Sequence, residues 1–112
     1  MKDAQKKYDL LIQTNSKIER KGKAMPYTSV NGHMFSFLSQ EGKMGLRLSR
    51  EDREHFIENY DAKLMEQHGR VMKEYVTVPD MLLNDTEQLS VYLEKSFNYV
   101  SNLKPKTTKN NK

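Results

Sequence analysis

The chain has 112 residues, no cysteine and a formal net charge of +4 at neutral pH. This length fits one domain, and the lack of cysteine excludes a disulfide framework, a thiol nucleophile and a cysteine-ligated metal site. The positive charge lies at the ends: residues 1–23 and 104–112 each carry +4, whereas residues 24–103 carry −4. A nucleic-acid-binding surface built on a fold normally has the opposite arrangement.

We expect neither a secretion signal nor a membrane span in this sequence. Its N-terminal residues lead into no long apolar run, as a signal peptide would require. Its uncharged apolar stretches are far shorter than the roughly 20 residues of a transmembrane helix. We therefore expect a cytoplasmic protein that does not enter the membrane.

The first half of the chain predicts one helix and a three-stranded meander. Tyr8, Leu11 and Ile12 recur at helical spacing, in an amphipathic helix that we expect to end near Arg20. Residues 25–48 then alternate apolar and polar side chains with the period of two that a half-buried strand requires. Asn31-Gly32 predicts a type I′ turn, and Gly42 supplies a positive φ to the next turn.

The alternation also assigns side chains to the two faces of the meander. In its second strand, Phe35 and Phe37 are expected to share one face. In its third strand, the apolar residues share one face, and Gly45 and Arg47 take the other. Those apolar residues are Met44, Leu46 and Leu48.

The second half predicts a helix, two strands and a final helix. Ser49 is placed to cap the second helix, and a His68-Gly69 turn separates strands at 63–67 and 71–78. Asp85 caps the last helix with Gln88 as its capping-box partner. The apolar stripe of that helix consists of Leu89, Tyr92, Leu93, Phe97 and Val100.

These elements indicate an α+β domain of two layers. Helices would pack on an antiparallel five-stranded sheet, in the order α-β-β-β-α-β-β-α. The domain would span residues 1–103. Residues 104–112 are basic and carry no apolar side chain, so we expect a disordered tail.

The sequence carries none of the common catalytic motifs. It has no P-loop, Gly-x-Ser-x-Gly or Gly-x-Gly-x-x-Gly, and its three histidines lack an i, i+4 partner. We therefore expect no enzyme activity, cofactor or metal site. The phenylalanines lie on predicted apolar faces, whereas Tyr27, Tyr75 and Tyr99 are expected to be exposed rings. Together with Arg47, these tyrosines form the predicted partner surface.

A set of spaced residues resembles the TfoX/Sxy N-terminal domain family. The matching residues are Met25, residues 31–35 (NGHMF), residues 44–49 (MGLRLS), Arg53 with Phe56, residues 74–79 (EYVTVP), and Leu82, Leu89 and Tyr92. The similarity covers most of residues 5–103. One departure is that the usual Met-Phe-Gly-Gly after the first helix reads Met-Pro-Tyr-Thr at residues 25–28.

The resemblance implies a curved antiparallel sheet with helices packed on it, similar to the secretion-chaperone architecture. It also implies a regulatory rather than an enzymatic role. Members of the family act as bacterial competence regulators with a cyclic-AMP receptor protein at promoters, and the family supplies no catalytic residues. Full-length members carry a second, C-terminal domain, and the present sequence matches the N-terminal one.

Three functional hypotheses follow. In the first, the chain is a regulatory or adaptor domain that binds another protein, such as a transcription regulator or a polymerase component. In the second, its basic termini bind nucleic acid with an affinity that falls steeply with salt. In the third, a groove between sheet and helices, lined by methionines and tyrosines, has a small-ligand or enzymatic role. The sequence leaves the partner and the oligomeric state open.

Overall fold

The computed structural model describes residues 2–105, which form five strands and four helices. The order is α1 (Lys2–Gln13), β1 (Tyr27–Val30), β2 (His33–Leu38), β3 (Met44–Arg47), α2 (Arg50–Tyr60), β4 (Lys63–Gln67), β5 (Arg70–Val78), α3 (Asp80–Leu83) and α4 (Thr86–Ser101). The predicted order of the five strands and three longer helices is thus confirmed, and the single turn that residues 80–83 predict is the short α3. The predicted disorder of the tail concerns mainly residues 106–112, which lie outside the described residues.

The five strands form one antiparallel sheet in the order β1-β2-β3-β5-β4. Tight turns join neighbouring strands where the sequence predicts them. Asn31 and Gly32 have φ values of 56° and 79°, and His68 and Gly69 have 53° and 76°, as a type I′ turn requires. Because β5 inserts between β3 and β4, residues far apart in sequence become neighbours in the centre of the sheet.

One face of the sheet carries the hydrophobic core. Buried residues from all four helices form a single cluster with apolar residues of β2, β3 and β5. The strand residues in that cluster are Phe35, Leu38, Met44, Leu46, Val76 and Val78. At roughly 1.5–3 kcal/mol for each large apolar side chain removed from water, this cluster is the main stabilising feature of the fold. The two-layer α+β architecture is therefore confirmed.

A β-bulge in β2 overturns one expectation, namely that Phe35 and Phe37 share a face. Thr28 pairs with Ser36 but Ser29 pairs with Met34, so Phe35 is an extra residue in β2. A bulge breaks the alternation of side chains along a strand. Phe35 joins the core and contacts the ring of Phe97 at 5.9 Å, whereas Phe37 lies outside that cluster, opposite Gly45.

The first helix is shorter than expected, ending at Gln13 rather than near Arg20. Thr14 Oγ1 donates to the carbonyl of Leu11 at 2.6 Å, and Asn15 Oδ1 accepts from the amide of Lys17 at 3.0 Å. Short polar side chains that bond the nearby main chain compete with helix continuation. Ile18 is nevertheless buried in the core, although it follows a turn rather than a helix.

Candidate interaction surface

The sheet face turned away from the helices, here called the outer face, is defined by Phe37, Gly45, Tyr75 and Thr77. Gly45 pairs with Phe37 on one side and with Thr77 on the other. A Cβ on Gly45 would lie 2.5 Å from Cε1 of Phe37, so the Phe37 ring occupies the space above this glycine. Phe37 is only 2% exposed although it lies outside the main core.

Tyr75 crosses the outer face from β5 to β2. Its ring meets that of Phe37 edge to face, with 5.8 Å between centroids. Its hydroxyl donates a hydrogen bond of 2.6 Å to the carbonyl oxygen of Met34. Burial raises the pKa of Tyr75 above its usual value of 10.0, so the phenol stays protonated and remains a donor at neutral pH.

Arg47 lies beside Tyr75, because these two residues are directly opposite each other in β3 and β5. Its Nε donates to Oε1 of Glu74 at 2.6 Å, and its Cζ lies 5.9 Å from the centre of the Tyr99 ring. Only 18% of the Arg47 side chain is exposed. The guanidinium is therefore held between a carboxylate of β5 and an aromatic ring of α4, with geometry typical of a cation–π contact.

A gap between strands explains why α4 comes close to Arg47. The pairing of β2 with β3 ends at Ser36 and Leu46. Beyond it, Ser96 of α4 lies within hydrogen-bonding distance of the carbonyl of Phe35, at 3.5 Å, and of that of Arg47. Tyr99 follows one turn later on the same helix.

The structure thus brings together three of the four predicted surface residues. We call Arg47, Glu74, Tyr75 and Tyr99 the Arg47 surface. A shallow cavity of about 300 Å³ adjoins it, lined by Arg47, Met72, Lys73, Glu74 and Tyr75. Tyr27, Tyr75 and Tyr99 were expected to be exposed rings, but each is only partly exposed. The Arg47 surface therefore presents the partly exposed side chains of one arginine, one glutamate and two tyrosines.

Tyr27 belongs elsewhere. It pairs with Phe37 at the far side of β2, and its ring packs on Gly22, where a Cβ would lie 3.0 Å from Cδ1 of Tyr27. Glu74, in contrast, was missed as a site residue. The signal for it in the sequence is that Glu74 alternates with Met72 and Val76 on the apolar side of its strand. A carboxylate at such a position is unfavourable unless it has a cationic partner.

The histidine and acidic side chains of the described residues do not gather at a common site. Among residues 2–105, no three His, Asp or Glu side chains lie close enough together to hold a metal ion. His33 bonds the carbonyl of Lys104 at 2.9 Å, and His55 and His68 are exposed. Within the same range, no helix is both long and apolar enough to cross a bilayer.

Three comparisons of the chain, with models of protein families, with curated proteins and with solved structures, found no match.

Proposed function

We propose that the chain is a small non-enzymatic regulatory or adaptor domain that binds another protein through the Arg47 surface. The observation that carries the proposal is the position of Arg47, braced by Glu74 at 2.6 Å and by the Tyr99 ring at 5.9 Å. Arginine and tyrosine are enriched among the residues that dominate protein–protein binding energies. A side chain fixed before binding loses less conformational entropy on association.

The resemblance to the TfoX/Sxy N-terminal domain supports the same role. In that reading the domain acts in the bacterial cytoplasm, and its partner is a transcription regulator or a polymerase component. Arg47 and Tyr75 lie within two of the matching segments, at residues 44–49 and 74–79. The Arg47 surface would then be the part of the domain that contacts the regulator.

The test is quantitative affinity capture from a cell extract with the wild type, Arg47→Ala and Arg50→Ala. Arg50 is a matched control, since its side chain is 86% exposed and pairs with Glu54 one helical turn away. We expect Arg47→Ala to reduce recovery of a specific partner about tenfold or more, in the range of interface hot spots. Arg50→Ala should leave recovery unchanged.

Both variants must first be shown to unfold at nearly the wild-type temperature. Equal recovery of every specific partner by the two variants would contradict the proposal. Recovery of nucleic acid alone, lost at physiological salt, would favour charge attraction by the basic termini instead.

A further inference from the structure

The acidic residues are unevenly distributed over the fold. Residues 20–40 contain three basic residues and residues 95–112 contain five, and neither stretch contains an aspartate or a glutamate. The first stretch includes β1 and β2, at one edge of the sheet, and the second begins in α4. Twelve of the fifteen acidic residues lie in residues 41–94. The strands β1 and β2 therefore contribute no carboxylate to their side of the sheet.

The two stretches without acidic residues meet beside β1. Lys21, in the loop that precedes β1, pairs with the first residue of the strand through main-chain hydrogen bonds of 2.8 and 2.9 Å. In the turn after β1, the Asn31 side chain donates to the carbonyl oxygen of Ser101 at 2.8 Å. Nε2 of His33 lies 2.9 Å from the carbonyl oxygen of Lys104. The loop before β1 and the end of α4 therefore flank the same edge strand.

These flanking segments carry four exposed lysines, namely Lys17, Lys21, Lys23 and Lys104. None of them forms an ion pair with another described residue, and Lys21 Nζ bonds the neutral Ser29 Oγ at 3.1 Å. Glu19 is the one acidic residue between residues 14 and 26. The β1 edge therefore offers several cations that are not neutralised to an anionic partner.

Tyr27 adds a partly exposed aromatic ring beside Lys21. The ring packs on Gly22, where a Cβ would lie 3.0 Å from its Cδ1. Arg20 holds this loop in place, since its Nε pairs with Asp9 at 3.1 Å and its Nη1 donates to the carbonyl of Gly22 at 2.6 Å. Proteins bind single-stranded nucleic acid with this combination, in which cations contact the phosphates and aromatic rings stack on the bases.

We propose that the β1 edge binds single-stranded nucleic acid. The phosphates contact the four exposed lysines, and a base stacks on the exposed part of the Tyr27 ring. The residues of this β1-edge surface are Lys17, Lys21, Lys23, Tyr27 and Lys104. It is separate from the Arg47 surface and does not depend on the role of that surface.

The probe is a fluorescein-labelled single-stranded oligothymidylate, titrated into the full chain and followed by fluorescence anisotropy at several salt concentrations. We expect saturable binding at low salt, with an affinity that falls as salt rises. Each phosphate contact contributes about 0.7 to the slope of log affinity against log salt concentration. Changing Lys17, Lys21 and Lys23 together to glutamine should weaken binding at least about tenfold at low salt and reduce that slope by about 2.

The matched control removes the same amount of charge away from the β1 edge. It combines Lys6→Gln, Lys63→Gln and Arg70→Gln, which change three exposed side chains. We expect this control to lower the affinity less than about threefold, since distant exposed charges act only through a field that salt screens. Both triple variants should unfold at nearly the wild-type temperature.

Tyr27→Leu tests the stacking contact, because leucine keeps an apolar side chain beside Gly22. It should weaken oligothymidylate about fivefold or more and leave the affinity for inorganic polyphosphate, which has no bases, unchanged. The proposal is overturned if oligothymidylate does not bind at low salt, or if the two triple variants lose equal affinity. An equal loss of polyphosphate and oligothymidylate binding in Tyr27→Leu would overturn it too.

Discussion

Gly45 is the residue on which the outer face depends most. The Phe37 ring lies over it, with Cε1 and Cζ only 2.5 and 2.8 Å from the position of a Cβ. Any side chain here would push Phe37 away from Tyr75, since ring and backbone are both held within the sheet. Glycine is therefore needed at position 45 because a Cβ would clash with the Phe37 ring, and not because the backbone has a positive φ.

We expect Gly45→Ala to lower the free energy of unfolding by about 2 kcal/mol, as overpacking a close-packed site does. Thermal or urea unfolding measures this loss. Combining it with Phe37→Leu should cost less than the sum of the two single changes, because the smaller side chain makes room for the new methyl group. Strict additivity, or wild-type stability for Gly45→Ala, would refute the contact.

Tyr8 is the central buried polar residue of the core. Its hydroxyl lies 2.7 Å from Ser36 Oγ, which lies 2.5 Å from Thr28 Oγ1, and all three residues are fully buried. Burial raises the pKa of Tyr8 from 10.0 to about 12, because the phenolate would be poorly solvated there. The folded state thus retains a proton that the unfolded chain loses at lower pH.

This difference makes stability depend on alkaline pH. The contribution of Tyr8 is complete below pH 10 and is lost as pH rises from 10 to about 12, a fall of about 3 kcal/mol. We expect the stability of Tyr8→Phe to decline less steeply over that range, although the variant is less stable at pH 7 through loss of a buried hydrogen bond. Parallel pH profiles for the two proteins would show that Tyr8 titrates normally.

At the scale of elements, α4 is joined to the sheet where two strands separate. Ser96 is fully buried and has one hydroxyl proton to share between the carbonyls of Phe35 and Arg47. Without it, the carbonyl oxygens of Phe35 and Arg47, at the open end of β2 and β3, would lose this donor. The contact also sets how near Tyr99 comes to Arg47.

Ser96→Ala should therefore cost about 1–3 kcal/mol, the usual penalty for buried polar groups that lose a partner. Ser90→Ala is the control, because Ser90 is on the same helix and bonds only the carbonyl of Glu87 near the surface. Its effect should stay within about 0.5 kcal/mol. Chemical denaturation compares the two directly, and equal losses would contradict the role given to Ser96.

Elements fixed by local chemistry were predictable from the sequence. Ser49 caps α2 through the amide of Asp52, and Asp85 caps α4 through the amide of Gln88. The turns at Asn31-Gly32 and at Gly42 adopt the positive φ values that these residues tolerate. Each of these features depends on residues within four positions of one another.

Elements that depend on distant pairing were not predictable. The bulge at Phe35 arises from the register of β1 against β2. A second irregularity leaves residues 73–75 without partners on β4, since Leu64 pairs with Val76 and Met65 with Met72. Period-two patterning carries no signal for an extra residue, and so it placed Phe37 on the wrong face.

At the scale of the whole molecule, the Arg47 surface assembles from three elements. Arg47 comes from β3, Glu74 and Tyr75 from β5, and Tyr99 from α4. The sequence suggested three of these four residues as exposed or outward side chains, but their meeting depends on β5 lying next to β3. Tyr27, chosen by the same reasoning, lies two strands away on β1.

The division of the sheet into a covered and an outer face is the feature on which the Arg47 surface depends, since Arg47 and Tyr75 take outward positions in β3 and β5. The position of the Phe37 ring tests this division directly. The alternation in the sequence places the ring on the covered face with Phe35, whereas the register in the structure places it on the outer face, opposite Gly45. Nuclear Overhauser contacts of the Phe37 ring in the full chain measure its position. We expect contacts to the Gly45 Hα protons and to the Tyr75 ring. Contacts to Leu93 or Phe97 in the helical layer would instead contradict the assignment of the two faces.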